Sequence, residues 1–139
     1  MRIVLDTNVM VSALLSPSNT PSQLLRLIVT GSIDLVLDDR IYAEYKTVLS
    51  RPKFKFDPQR VDELLDFIFA EGEFVVATPL HINIPDPKDL PFLEVAIVSN
   101  ADSIITGNQK HFPTKIIDKL GIVVQSPGQF LDFLTEYNR

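Results

Sequence analysis

The chain contains no cysteine, which excludes disulfides and every thiolate metal site. It has no apolar run of the roughly 18 to 20 residues needed to cross a bilayer, so no membrane association is expected. The N-terminus also lacks the basic segment, long apolar stretch and small-residue cleavage site of a secretion signal, and a cytoplasmic location is the expectation. Positive charge is in deficit: 13 Lys and Arg stand against 18 Asp and Glu, a formal charge of -5 at pH 7, with a pI near 4.9. Such a balance gives no general attraction for nucleic acid, because phosphate contacts come from Lys and Arg. It leaves room for a local basic patch, or for a cation that reverses the field of an acidic pocket. No internal repeat, low-complexity segment or interdomain linker is visible.

What is present is a chain of 139 residues, 45% hydrophobic and 22% charged, which suits one hydrophobic core and one compact domain over 1–139. Its most informative point comes early. The apolar run Ile3-Val4-Leu5 stops at Asp6, followed by polar Thr7 and Asn8. Unbroken aliphatic runs are the mark of parallel strands covered on both faces, and such sheets bind ligands beyond the carboxyl ends of their strands. Asp6 is therefore placed for chemistry; the alternative is an Asp that caps the next helix.

Helices are predicted from Asn8 to Leu15 and, after the break 16–21, to about Thr30, with Gly31 as its stop. Leu35-Val36-Leu37 forms a second strand running into Asp38 and Asp39. A helix over 40–49 follows, in which Glu44 shares a flank with Ile41 and Val48 and points partly inward. Residues 51–58 form the most basic stretch, a loop with Arg51, Lys53 and Lys55 around Phe54 and Phe56. These aromatics read as anchors on the core, or else as rings that stack on bases. An amphipathic helix over 58–70, marked by Val61, Leu64, Leu65, Ile68 and Phe69, ends at Gly72 before a strand over 74–77. The proline-rich segment 78–91 holds Asp86 and Asp89 in a fixed loop, with Asp89 at the start of a helix through Val98. Strands are expected over 101–106 and 122–124, separated by a turn or short helix. A final helix opening at Ser126-Pro127 packs Phe130, Leu131, Phe133 and Leu134 inward. Asp102 reads as a surface turn residue, and Glu94 as a salt-bridging acid that can border the pocket. Five short strands alternating with helices imply a three-layer α/β/α sandwich around a central, mainly parallel five-stranded sheet.

Four pieces in order, Asp6-Thr7-Asn8, Glu44, the 86–89 stretch leading into Phe92-Leu93-Glu94-Val95-Ala96, and Thr106-Gly107-Asn108, resemble the PIN domain over essentially the whole chain. Within that family Ile105 to Phe112 is similar to the prokaryotic branch described as toxin components of toxin-antitoxin pairs. The resemblance implies a ribonuclease that uses Mg²⁺ or Mn²⁺ held by clustered acids. Carried over, Asp6, Glu44 and Asp89 match the catalytic, metal-holding acids, with Asp86 as a further candidate ligand or a turn cap. Asn8 and Thr106 match polar residues around the site. Many members carry a fourth acid after the late strand, where this chain has Asn108 and His111, so one metal or two stays open. Lys110, His111 and Lys115, or the 51–55 loop, would place an RNA backbone. The resemblance further implies a homodimer and an antitoxin partner. Two functions follow as expectations: a metal-dependent endoribonuclease, or a catalytically weak or inactive PIN-like binding or scaffold protein.

Overall fold

The computed structural model describes residues 1–138. Five strands, β1 (Arg2–Leu5), β2 (Asp34–Leu37), β3 (Glu73–Phe74), β4 (Ser103–Ile105) and β5 (Val124–Gln125), form one sheet in the order β3-β2-β1-β4-β5. Every neighbouring pair is parallel. Among the described residues seven α-helices connect or flank them: α1 (Thr7–Leu15), α2 (Thr20–Val29), α3 (Asp39–Leu49), α4 (Pro58–Glu71), α5 (Leu90–Ser99), α6 (Thr114–Leu120) and α7 (Pro127–Tyr137). The result is the expected three-layer α/β/α sandwich. Among the described residues no helix is long and apolar enough to cross a membrane.

The central strands are buried without alternation, as a sheet covered on both faces requires: Ile3, Val4 and Leu5 in β1, and Leu35, Val36 and Leu37 in β2, all belong to the core. Helix α5 lies across β1, β2 and β4. It is apolar around most of its circumference, so Phe92 to Ala96 are buried in succession. Glu94 sits within that run and does not remain unpaired. Its carboxylate binds Arg40 Nη1 at 2.7 Å and accepts the Leu80 N–H at 2.6 Å. Arg40 also pairs with Asp38, so the expected salt bridge exists and ties α3 to α5.

Chain ends of elements follow ordinary chemistry. Asn19, Asp38 and Asp57 accept backbone N–H groups at the starts of α2, α3 and α4, and Ser126 with Gln129 forms a capping box on α7. Gly72 closes α4 where a Cβ would lie 2.5 Å from the Ile68 carbonyl oxygen and 2.9 Å from Leu37.

Several expected boundaries shift. The strand expected over 74–77 is Glu73–Phe74, with Val76 fully in solvent, and that over 122–124 is Val124–Gln125. The expected strand over 101–106 is shortened to Ser103–Ile105. In α7 Phe130 is buried and Leu131 and Leu134 partly so, but Phe133 is exposed, as is Phe69 on α4.

The chain order places the pocket. From β1 the connections step outward to β2 and β3, then return to the other side of β1 to add β4 and β5. The order reverses between β1 and β4, and the crevice beyond their carboxyl ends is where an open α/β sheet takes its ligand.

Candidate active site

Asp6 follows β1 at the N-cap position of α1, yet its side chain makes no capping bond. Its Oδ2 instead accepts the Thr106 hydroxyl at 2.7 Å, across the switch point from the end of β4. The Thr106 oxygen in turn accepts the Asn108 N–H at 3.0 Å, so the hydroxyl is fixed from both sides. Asn8, exposed on the first turn of α1, accepts the Gly107 N–H at 3.1 Å and holds the turn after β4 against that helix.

Asp89 repeats the pattern. It lies in the short 3-10 turn Pro87–Asp89 and at the N-cap position of α5, again without a capping bond. Its Oδ2 is buried and has no hydrogen-bond partner. His111 Nδ1 lies 3.1 Å from that oxygen, outside hydrogen-bond geometry. The other ring nitrogen, Nε2, accepts from the Asn108 amide at 2.9 Å, which puts the proton of the neutral ring on Nδ1. Asp86 caps the 3-10 turn through the Lys88 N–H at 3.0 Å. Glu44 is half-buried, as expected, and accepts the Thr7 hydroxyl.

These groups share one open pocket of about 450 Å³, lined by Asp6, Glu44, Asp86 and Asp89 together with Asn8, His111, Arg51, Phe54 and Lys88. Their charges interact. Burial holds the Asp6 carboxyl above its ordinary value despite the Thr106 bond, with repulsion from Glu44 adding to it. Burial and then repulsion from Asp6 push Asp89 up to about 6, while His111 works in the opposite direction. Tyr45, fully buried below the pocket, donates its hydroxyl to the Leu5 carbonyl. Desolvation and the same acids hold that phenol strongly protonated.

Of the five cations expected to contact RNA, Arg51 lines the pocket. Lys53 lies over the Phe54 ring at 5.1 Å, Lys55 borders a separate small cavity with Phe56 and Arg60, and Lys110 and Lys115 are exposed elsewhere. Lys88 and Thr7 were not singled out by sequence. Lys88 follows Asp86 and Pro87 and was legible as a charge on the same loop. Thr7 was legible only as the neighbour of Asp6, because its partner comes from another helix.

The PIN domain family model matches residues 2–110. The chain belongs to the PIN domain family. No curated protein matches it. Among solved structures, this PIN domain is similar to a chain of VapBC2 from Rickettsia felis bound to a DNA fragment from their promoter. The identity is 18%, the match covers 91% of this chain and 98% of that one, and the TM-score is 0.56. That likeness concerns the fold. Among the described residues of the PIN domain, no group of three or more His, Cys, Asp or Glu side chains is arranged to hold a metal ion.

Proposed function

We propose that the acidic pocket binds RNA and hydrolyses it weakly, making this PIN domain a binding protein first and a cation-dependent endoribonuclease second. The observation that supports this reading is how far the pocket's acids are already engaged. Thr106 holds Asp6, Thr7 holds Glu44, and Asp86 caps its own turn. The place where many PIN domains carry a fourth acid is filled by Asn108 and His111, bonded to each other.

A divalent cation still fits. The buried Asp89 Oδ2 without a hydrogen bond is an oxygen that a cation would satisfy, and hard carboxylate oxygens are the donors Mg²⁺ and Mn²⁺ take. Mg²⁺ is commonly held by one or two carboxylates and keeps several waters, so a three-acid cage is not required. Asp6 and Asp89 would hold the ion, with Glu44 as the third acid and Asp86 beside them. When bound, it supplies the positive charge that polarises a phosphoryl oxygen and activates water. The chain's own residues do the rest. Thr106 keeps the Asp6 carboxylate in one orientation, Asn8 fixes the Gly107 turn, and Arg51 holds a phosphate at the rim. Asn108 holds the His111 ring with its Nδ1 side toward Asp89.

The second reading is an efficient endoribonuclease, the toxin of a toxin-antitoxin pair, homodimeric and covered by an antitoxin segment. It is favoured by the Asp89 oxygen, which His111 approaches without forming a hydrogen bond, and by the resemblance of Ile105 to Phe112. A Mn²⁺ titration with RNA binding and cleavage, on the natural chain and on Asp6→Asn, separates the two. Binding with turnover far below about 1 s⁻¹ supports the proposal. Turnover of that order or faster, abolished by Asp6→Asn with folding unchanged, establishes the second reading. Absence of RNA binding at low salt overturns both.

A further inference from the structure

The loop between α3 and α4 carries an arrangement that the acids do not explain. Phe54 ends the 3-10 turn Pro52–Phe54, Lys55 follows with a left-handed backbone, φ 53°, and Phe56 comes next. A lysine gains nothing from that conformation. Its effect is to bring side chains two apart in sequence onto the same side, where the two rings stack at 5.4 Å between centroids and 12° between planes. Phe56 is partly buried against the core, and so is Phe54. Phe54 differs in also forming part of the wall of the acidic pocket, beside Arg51.

Arg51 and Lys88 line the same acidic pocket, and neither forms an ion pair among the described residues. Cations that pass over four nearby carboxylates remain available to phosphates. Lys53, exposed and placed over the Phe54 ring, can leave it at little cost, because an exposed cation–π contact is weaker than the stacking of a base on an aromatic ring.

We infer that Phe54, backed by Phe56 and sharing its pocket with Arg51 and Lys88, is a stacking platform for one unpaired base of a single-stranded RNA whose backbone enters the acidic pocket. The inference rests on the RNA-binding reading and adds to it the side chain that receives a base of the strand. Stacking is tolerant of base identity, so the platform sets strandedness and register rather than sequence.

The test uses the full chain, Ca²⁺ in place of Mg²⁺, and short single-stranded RNAs carrying one 2-aminopurine at successive positions. Stacking quenches this base. The natural chain should bind and quench at one position, Phe54→Tyr should retain both, and Phe54→Leu should bind about 5- to 100-fold more weakly without the quench. Because Phe54 also packs on the core, the same RNA made abasic at the quenched position is titrated onto the unaltered protein. It should lose affinity by a similar factor. If the natural chain binds RNA while Phe54→Leu or the abasic strand binds equally well, the platform is refuted and the RNA reading stands. If the natural chain binds no RNA, the RNA reading falls and takes the platform with it.

Discussion

Replacing Asp89 by Asn should stabilise the cation-free protein. In the fold this carboxyl is buried, faces Asp6, Asp86 and Glu44, and titrates at about 6 instead of its ordinary 3.8. A group whose folded value is raised binds its proton more tightly in the native state. Between pH 3.8 and about 6 the native chain therefore holds more protons than the unfolded one, and stability falls as pH rises through that window. Above it the penalty is complete, nominally about 3 kcal/mol. Water reaches this open pocket, and His111 faces the carboxylate, so about 1 to 2 kcal/mol is the realistic share. Asn keeps the size and cannot ionise.

The measurement is urea unfolding of both chains at pH 4 and pH 8 in EDTA, read by circular dichroism, with equal m-values as the check that only stability has changed. The variant should be about 1 to 2 kcal/mol more stable at pH 8, which for a chain of this length is on the order of 3 to 8 °C in Tm. At pH 4 the two chains should nearly coincide. Added Mn²⁺ should raise the midpoint of the natural chain and move Asp89→Asn much less, since a ligand stabilises only the state that binds it. A variant that is equally or less stable at pH 8, or a difference that does not change with pH, would show that Asp89 is not held against its own ionisation.

Arg40→Met should destabilise the fold by about 2 kcal/mol in a urea titration. It leaves Glu94 and Asp38 buried without their counter-ion, and the half-exposed position of Arg40 keeps the loss below that of a fully buried pair. Gly72→Ala should lose about 2 to 3 kcal/mol in the same assay, because the added Cβ meets the backbone oxygen of Ile68, which cannot turn away. Arg51→Ala and Lys88→Ala should each lower the slope of log affinity against log salt for RNA by about one, while Lys115→Ala should not. Equal slopes for all three would remove the proposed rim.

The central strands were legible because burial on both faces writes itself as an unbroken apolar run, and Ile3 to Leu5 and Leu35 to Leu37 carry that signal alone. The edge strands were not, because their length is set by the neighbour. Pairing ends at Leu37 with Phe74; Val75 still donates its N–H to the Leu37 carbonyl at 2.9 Å, but β2 offers nothing beyond that, and Val76 is left in solvent. At the other edge Ile105 pairs with Gln125, whose side-chain oxygen accepts the buried Ser103 hydroxyl at 2.9 Å. A polar residue is thus recruited into a strand that hydropathy would have ended. The pocket residues Asp6 and Asp89 were legible as acids at element ends. Whether each caps its helix or faces the pocket was not, because the choice depends on Thr106 and His111, both distant in sequence.

That choice is the strongest physical statement the pocket makes. Asn19, Asp38, Asp57 and Ser126 all satisfy the helix that follows them, each interaction contributing about 1 kcal/mol. Asp6 has the same extended backbone and leaves its helix uncapped, and Asp89, which enters α5 with a helical backbone from the turn Pro87–Asp89, makes no capping bond either. A carboxylate that caps has its charge spread over backbone N–H groups; one that does not keeps that charge for whatever enters the crevice. Burial opposes ionisation at both acids, joined by repulsion from Glu44 at Asp6 and from Asp6 at Asp89, while the Thr106 hydroxyl and the Thr7 backbone N–H work against it at Asp6. The two acids therefore make the pocket the part of the fold with most to gain from a positive charge. Thr7 and Thr106, which hold Glu44 and Asp6, can supply hydrogen bonds but no charge. A cation, or a phosphate carried in by Arg51 and Lys88 with its own counter-ion, relieves what the hydroxyls cannot. This relief couples ligand binding to the stability of both strand ends, so β1 and β4 should be the elements that gain most protection from hydrogen exchange when Mn²⁺ binds.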